Sequence, residues 1–181
     1  FGGIVSCNFK VKRNLATELN KLFLEVIIAN GFEKNAIKIL KTKKNLRLID
    51  GTNYTSEELC KFLSFNQEIM IQSEDLNLFS KKNFKIVSKR KPTTKQFKDL
   101  IFAFNVCRYV KSNAIVLASN ETTVGIGSGQ PSRLDSCQIA INKMKQFNLQ
   151  NNNLVAASDA FFPFVDGIEK LVQSGVRAII Q

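Results

Sequence analysis

Histidine is absent from this 181-residue sequence. Because histidine is the most common general base and metal ligand, its absence excludes histidine-dependent chemistry from this chain as given. The four cysteines form no Cys-x-x-Cys pair, and without histidine they cannot build a familiar structural zinc site. Single cysteines in apolar surroundings predict instead small core residues in a reducing compartment.

Long apolar runs are also missing. Lys, Arg, Asn or Asp interrupts every stretch before it reaches the roughly 18 residues of a membrane-spanning helix, so we do not expect a transmembrane protein. The chain begins at Phe1 without an initiator Met or a signal peptide, and it ends on Ile179-Ile180-Gln181. Both ends look cut, and a fragment of a longer protein is predicted.

The net charge is +11, which would suit a polyanionic partner. The lysines are dispersed, however, and they accompany many Asn and Ile residues, a pattern that favours compositional bias over a binding stripe. A basic nucleic-acid-binding module therefore stays as an alternative, for which steeply salt-dependent binding would be diagnostic.

Apolar residues alternate between strand and helix spacing along the chain, which predicts an α/β fold. In the first half we predict strands at 4–7, 25–29, 46–49, 70–72 and 84–87, and helices at 14–22, 33–41 and 56–65. In the second half we predict helices at 94–110, 132–147 and 167–174, and strands at 113–118, 122–126, 154–157 and after Gly175. The basic run Lys89-Arg90-Lys91-Pro92 predicts a linker between sub-domains 1–90 and 91–181, with a solvated loop as the alternative.

A glycine-rich turn, Gly125-Ile126-Gly127-Ser128-Gly129, leads into a helix that carries Arg133. Glycines allow close backbone approach to a ligand, and a helix start with an arginine favours an anion. The spacing does not match a dinucleotide fingerprint, and no Walker lysine follows. A tight turn into a helix capped by a Ser132–Asp135 capping box remains the alternative.

Three phenylalanines surround a proline in Phe161-Phe162-Pro163-Phe164, between Asp159 and Asp166. The rings cannot easily all face one core, so either a pocket for a flat ring or simple core packing is possible. The two carboxylates could orient an amidine-like ring edge, although Asp166 could instead cap the next helix.

Two polar residues are further candidates. Asn113 lies between a predicted helix and a predicted strand, at the rim of a sheet. Glu25 opens an apolar strand, where an acid is costly to bury unless it is paired or bound, with exposure to water as the alternative.

These stretches resemble one family in order along nearly the whole chain. The resemblance is carried by the glycine-rich turn, the phenylalanine segment, and Phe1-Gly2-Gly3, Glu25-Val26-Ile27-Ile28-Ala29, Lys43-Lys44-Asn45-Leu46-Arg47-Leu48 and Val110-Lys111-Ser112-Asn113-Ala114-Ile115-Val116. The family is that of bifunctional purine-biosynthesis enzymes that combine 5-aminoimidazole-4-carboxamide ribonucleotide (AICAR) formyltransferase with inosine monophosphate (IMP) cyclohydrolase. Only the formyltransferase part is represented.

The resemblance implies a cytidine-deaminase-like three-layer α/β/α fold in two sub-domains, without a zinc site. It implies transfer of a formyl group from the co-substrate 10-formyltetrahydrofolate to the 5-amino group of AICAR, without a metal. It also implies a cytoplasmic homodimer. A zinc-dependent deaminase is disfavoured, since the required ligands are absent.

By resemblance, the residues that contact AICAR would be Gly2, Glu25, Asn113 and Arg133, with Asn113 also the catalytic candidate. The folate would be framed by the Leu134 backbone, Phe161, Phe164 and Asp166. The family's Lys-His dipeptide would lie upstream of residue 1, and its last segment, rich in Gly, Arg and His, is missing after Gln181. We therefore expect the isolated chain to fold at least partly but not to catalyse formyl transfer.

Overall fold

The computed structural model describes residues 1–55, 60–73, 79–147 and 153–181. They form an α/β protein, as predicted, with two compact units, Phe1–Asp75 and Leu76–Gln181. The division thus precedes residue 90, where the sequence placed it, and the basic run from Lys89 to Pro92 belongs to the second unit. Among the described residues, no helix is both long and apolar enough to cross a bilayer.

The first unit alternates strands and helices, which are β1 (Gly3–Cys7), α1 (Arg13–Lys21), β2 (Leu24–Ala29), α2 (Lys34–Leu40) and β3 (Arg47–Asp50). The strands are parallel in the order β1-β2-β3, as expected when a helix connects successive strands. Both helices and the sheet share one apolar core that includes Val11, Ala16, Ile27, Ala36 and Leu40. The five elements predicted between residues 4 and 49 are confirmed.

A hairpin follows, formed by the antiparallel strands β4 (Cys60–Phe65) and β5 (Glu68–Ser73). The helix predicted at 56–65 is therefore wrong over 60–65, and its first part, 56–59, lies outside the described residues. The strand predicted at 70–72 is confirmed as part of β5. The two-residue connection begins at Asn66, whose φ of +54° suits a tight hairpin turn.

The second unit contains a short 3-10 helix at Lys81–Asn83 and then α3 (Thr94–Cys107). The strand predicted at 84–87 is wrong, because these residues belong to no helix or strand. Phe84 packs its ring against Phe79 and Phe104, with ring centroids 5.7 and 5.2 Å away. Its apolar character serves this aromatic cluster and not a sheet.

A four-stranded mixed sheet organises the rest of the second unit. Its elements are β6 (Ile115–Ser119), β7 (Thr122–Gly127), α4 (Arg133–Gln146), β8 (Val155–Ser158), α5 (Val165–Gln173) and β9 (Ala178–Ile180). The strand order is β7-β6-β8-β9, in which β6 runs antiparallel to β7 and β8, and β9 runs parallel to β8. Each element predicted between 94 and 181 is confirmed, with shifts at its ends.

Helices cover both faces of this sheet. Ile115 and Leu117 of β6 join a core with α4 and α5, whereas Val116 and Ala118 join a second core with α3. All five residues of β6 are buried, which explains its continuous apolar run. The second unit is therefore a three-layer α/β/α structure.

All four cysteines are free, and only Cys60 is exposed. Burial raises the pKa of the Cys107 thiol to about 12 and that of Cys137 to about 11. Since the thiolate is the nucleophile, we expect iodoacetamide at pH 8 to alkylate Cys60 at least ~100-fold faster than Cys7, Cys107 and Cys137. Peptide mass spectrometry over a time course measures this. Rapid labelling of Cys107 in the folded chain would contradict the assigned core.

Candidate functional site

Three loop segments of the second unit meet where β6 begins and β8 ends. The antiparallel register pairs Ile115 with Ser158 and so places Asp159 beside Ala114. The Asp159 amide donates to the Ala114 carbonyl at 3.3 Å, and the Ala114 amide donates to the Asp159 Oδ1 at 3.1 Å. The chain that leaves β8 is thereby fixed to the chain that enters β6.

The glycine-rich segment begins inside β7, and its last part, Ser128 and Gly129, leads the chain over the same place. Gly129 has a φ of +68°, in the region that favours glycine, and its amide donates to the Lys111 carbonyl at 2.7 Å. The Asn113 Nδ2 donates to the carbonyls of Gln130 at 2.9 Å and Pro131 at 3.0 Å. Asn113 therefore holds the turn against the start of β6, at the rim position that the sequence predicted.

Arg133 is the first residue of α4, and its guanidinium joins these segments. Nη1 donates to the Ser158 hydroxyl at 2.8 Å and to the Asp159 Oδ1, while Nη2 donates to the Asn113 Oδ1 at 2.9 Å. The side chains of Arg133 and Asp159 are only 13% and 15% exposed, so this is a largely buried ion pair. The structure thus brings Asn113, Arg133 and Asp159 together, and we call these three residues the Arg133 cluster.

The Asp159 carboxylate is stabilised in its charged form. Burial acts to raise its pKa, but hydrogen bonds from Ser112, Arg133 and Ala114, together with the Arg133 charge, outweigh burial and hold the pKa below its ordinary value. The Ser112 hydroxyl donates to Oδ2 at 2.5 Å. The Asp159 carboxylate therefore stays charged beside the Arg133 guanidinium at neutral pH.

The capping box predicted at Ser132 and Asp135 is wrong. Ser132 is the N-cap of α4, but its side chain makes no cap hydrogen bond. Ser136, one turn into the helix and fully buried, instead donates its hydroxyl to the Asn113 carbonyl at 2.7 Å. Sequence reasoning did not identify the serines at 112, 136 and 158, because a hydroxyl beside a glycine-rich turn has no distinctive spacing.

The phenylalanine segment starts two residues after Asp159, and its rings divide between the surface and the core. Phe161 and Phe164 are 69% and 73% exposed. Phe162 packs against the apolar core on the α4 side of the sheet, where its ring would lie 3.0 Å from a Cβ at Gly167. One ring is therefore structural, and two are available to a ligand.

The remaining folate candidates, Leu134 and Asp166, lie in the first turns of α4 and α5. Leu134 follows Arg133 in the first turn of α4 and is half-buried. Asp166 is exposed in the first turn of α5, where its Oδ1 accepts from the Gly167 amide at 2.7 Å. Phe164 and not Asp166 is the N-cap of this helix, so the predicted capping role of Asp166 is wrong.

In the first unit, the structure brings together Gly2 and Glu25. The Gly2 amide donates to the Glu25 Oε1 at 2.6 Å, and a Cβ at Gly2 would lie 2.7 Å from the Glu25 Cγ. Glu25 lies at the irregularity in the β1–β2 register, and it is half-buried. The acid that seemed costly to bury is thus paired with a backbone donor at the amino end of the sheet.

An open pocket of about 940 Å³ lies at the other end of this sheet. Its lining combines apolar side chains with polar ones that include Asn8, Asn30 and Asp50. Hydrogen bonds from Thr52 hold the pKa of Asp50 below its ordinary value. The pocket contains none of the predicted site residues. No group of three or more Cys, Asp or Glu side chains is placed to hold a metal ion within the part of the chain that the structure describes.

Comparison with known proteins places this α/β chain in a family. The family model for the AICARFT/IMPCHase bienzyme matches residues 1–143. The chain belongs to the AICARFT/IMPCHase bienzyme family.

Its relatives are much longer proteins. The chain is similar to the bifunctional purine biosynthesis protein PurH of Aquifex aeolicus, with 44% identity over 181 residues. It is also similar to the proteins of that name from Fusobacterium nucleatum, 45% identical over 182 residues, and Persephonella marina, 43% identical over 183 residues. Each match covers the whole of this chain but only 35% of the relative.

Proposed function

We propose that this chain forms part of the formyltransferase of a bifunctional purine-biosynthesis enzyme. The reaction transfers the formyl group of 10-formyltetrahydrofolate to the 5-amino group of AICAR, and the whole protein also has IMP cyclohydrolase activity. Family membership supports this proposal. The observation that carries it is the Arg133 cluster, whose Asp159 lies two residues before Phe161, the first of two exposed phenylalanine rings.

AICAR is bound through polar groups of Arg133 and Asn113. The hydrogen bonds of Arg133 leave Nε and part of Nη2 without a partner among the described residues, so donors remain for a carbonyl or anionic group of AICAR. The Asn113 Nδ2 is engaged by Gln130 and Pro131, so its Oδ1, which keeps a second lone pair, accepts from a donor group of the base or the carboxamide. By the family resemblance, Gly2 and Glu25 also contact AICAR.

The folate is held by the aromatic segment. Phe161 and Phe164 pack on the pterin, because an exposed ring gains apolar burial and favourable stacking when a flat ligand covers it. Asp166 accepts hydrogen bonds from the donor edge of the pterin, and the Leu134 backbone completes the frame. In this proposal, polar side chains bind the anionic or carbonyl groups of AICAR, and aromatic side chains bind the flat pterin.

The proposed reaction is an acyl transfer. The amine nitrogen of AICAR attacks the formyl carbon, and the bond from that carbon to N10 of the folate breaks. The amine loses one proton and N10 gains one, so neither an oxidant nor a reductant is consumed. Asn113 is the catalytic candidate in this chain, since its amide would orient the groups around the attacking amine. The family's Lys-His pair, which would supply proton transfer and a cation, is not in this sequence.

The family's cytidine-deaminase-like fold, without its zinc site, is proposed for both units, and the three layers of the second unit support it. A cytoplasmic homodimer is proposed on the resemblance alone. The alternative of a nucleic-acid-binding module has the exposed basic residues between Lys81 and Lys98 in its favour. The rings of Phe79, Phe84 and Phe104 in that unit pack on one another, however, and are not free to stack on bases.

A chimera tests the proposal. These 181 residues replace the matched 35% of the Aquifex aeolicus relative, which supplies the remainder of the protein. We expect the purified chimera to form tetrahydrofolate from AICAR and 10-formyltetrahydrofolate within about tenfold of the relative's rate. A tenfold difference in rate corresponds to only about 1.4 kcal/mol of transition-state stabilisation. The isolated chain should show no turnover.

The matched control is the same chimera with Arg133→Ala, for which we expect at least a ~100-fold loss of kcat/KM. Cyclohydrolase activity of the chimera reports whether the remainder of the protein is folded. A chimera that keeps cyclohydrolase activity and folded secondary structure but transfers no formyl group would reject the proposed function. Turnover by the isolated chain would reject the expectation that it is incomplete.

A further inference from the structure

Asp159 occupies an unusual position in the Arg133 cluster, because one carboxylate accepts from three donors on two segments, 112–114 and the start of α4. Its Oδ1 accepts from Arg133 and from the Ala114 amide, and its Oδ2 accepts from the Ser112 hydroxyl. The sequence suggested that this acid orients a ligand's ring edge. In the structure both carboxylate oxygens are instead engaged by the chain itself, and the side chain is only 15% exposed.

The guanidinium of Arg133 depends on this carboxylate for its orientation. Asp159 and Ser158 both accept from Nη1, so they fix one end of the planar fork, and Asn113 accepts from Nη2 at the other end. Of the three acceptors only Asp159 carries a charge, and charge-assisted hydrogen bonds are about twice as strong as neutral ones. Loss of this one acceptor would leave a largely buried cation without its counter-charge.

We propose that Asp159 is the positioning residue of this site, which presets Arg133 for AICAR without touching the substrate. This inference rests on the proposed function for the substrate, although the positioning itself is a property of the folded chain. Ser112 contributes by holding the carboxylate, since its hydroxyl fixes the oxygen that Arg133 does not use. The carboxylate remains charged at neutral pH, so the arrangement is complete before substrate arrives.

The first test measures positioning without any substrate. Phenylglyoxal modifies accessible arginines, and Arg133 is 13% exposed in the cluster. In the 181-residue chain with Asp159→Asn we expect Arg133 to react at least ~10-fold faster, since charge-assisted bonds to a charged acceptor contribute roughly tenfold or more. The exposed Arg13 and Arg47 are internal references, and alkylation of the buried Cys137 in parallel reports any general loosening. An unchanged Arg133 rate, or equal acceleration at Cys137, would overturn the inference.

The second test uses the chimera and separates KM from kcat. For Asp159→Asn we expect the KM for AICAR to rise about 10- to 100-fold, with the KM for folate changed less than about threefold. Asp135→Asn is the matched control, because it removes an exposed carboxylate from the first turn of α4, the helix that begins at Arg133. This variant should act like the unaltered chimera. Equal rises in both KM values, or no difference from Asp135→Asn, would overturn the role for AICAR.

Two further cases are a variant that does not fold and a chimera that is inactive. If Asp159→Asn does not fold, Ser112→Ala replaces it, since this change keeps the charge and removes only the hydroxyl that holds Oδ2, and an AICAR KM raised about threefold is expected. An unchanged KM would then count against the inference. If the unaltered chimera transfers no formyl group, the proposed function fails, whereas the phenylglyoxal rates still decide whether Asp159 positions Arg133.

Discussion

Replacing Gly127 by alanine is expected to prevent the second unit from folding stably. A Cβ at this position would lie 1.9 Å from the carbonyl oxygen of Ser136 and 2.6 Å from its carbonyl carbon. Both atoms belong to the backbone of α4, so the whole helix would have to move away from β7. Overpacking of a well-packed interior typically costs 1–3 kcal/mol and sometimes more, and we expect a loss of about 3 kcal/mol or more. Urea denaturation measures this loss of stability. The alkylation rates of the buried Cys107 and Cys137 report whether the unit is folded.

Gly129→Ala is the matched control in the same turn. Its φ of +68° costs an alanine about 1–2 kcal/mol, but the nearest atom to the added Cβ would be the flexible Lys111 side chain at 3.8 Å. The two variants therefore separate backbone crowding from backbone strain. Equal losses in both would mean that α4 does not lie as close to β7 as described.

This close approach also explains how the glycine-rich segment brings Arg133 to Asn113. Gly127 allows α4 to pack directly on β7, and the same helix then presents Arg133 and the Ser136 hydroxyl to Asn113. The sequence interpretation assigned these glycines to close ligand approach. In the structure two of them, Gly125 and Gly127, serve close packing of β7 against α4, and the ligand-facing consequence is indirect.

Elements buried on both faces were the most predictable part of the fold. The run from Ile115 to Ala118 is buried between two cores, and the apolar stripe of α3 belongs to one of them, so local pattern and tertiary packing agree. The region from 60 to 87 was less predictable, because its apolar residues do not pack as their spacing suggests. Phe62 and Leu63 are exposed in a hairpin, and Phe84 joins an aromatic cluster.

The hairpin error had a local signal that could have corrected it. Two apolar stretches separated by Asn66-Gln67 match a two-residue hairpin, for which asparagine with a positive φ is favoured. The stretch before Asn66 was instead assigned to a helix. Strand pairing was the deciding interaction, and it involves residues on both sides of the turn that a single-stretch pattern does not compare.

The candidate residues were named singly from the sequence, but their contacts with one another could not be predicted. Arg133 and Asp159 were both identified from the sequence, yet their ion pair depends on the β6–β8 register. Nothing in the spacing of 26 residues indicates that β8 returns beside β6. For this reason Asp159 was interpreted as a ligand contact, whereas the structure shows it holding the arginine.

The second large effect is expected at the phenylalanine segment, where neighbouring rings have opposite surroundings. Phe161→Ala removes an exposed ring, so the free energy of unfolding should change by less than about 0.5 kcal/mol. If that ring packs on the pterin, the loss of roughly 2 kcal/mol of apolar burial should raise the folate KM of the chimera about 30-fold, with the AICAR KM almost unchanged. Steady-state kinetics with each substrate varied in turn measures this.

Phe162→Ala is the matched variant, with the same side chain deleted one residue later. Its ring packs on the core beside Gly167, so we expect a loss of about 2 kcal/mol in stability, somewhat below the cost for a fully buried phenylalanine. Its folate KM should rise less than that of Phe161→Ala in any chimera that remains folded. If the folate KM rose more for Phe162→Ala than for Phe161→Ala, the proposed pterin contact of Phe161 would be wrong. The aromatic half of the proposed substrate site would then be rejected.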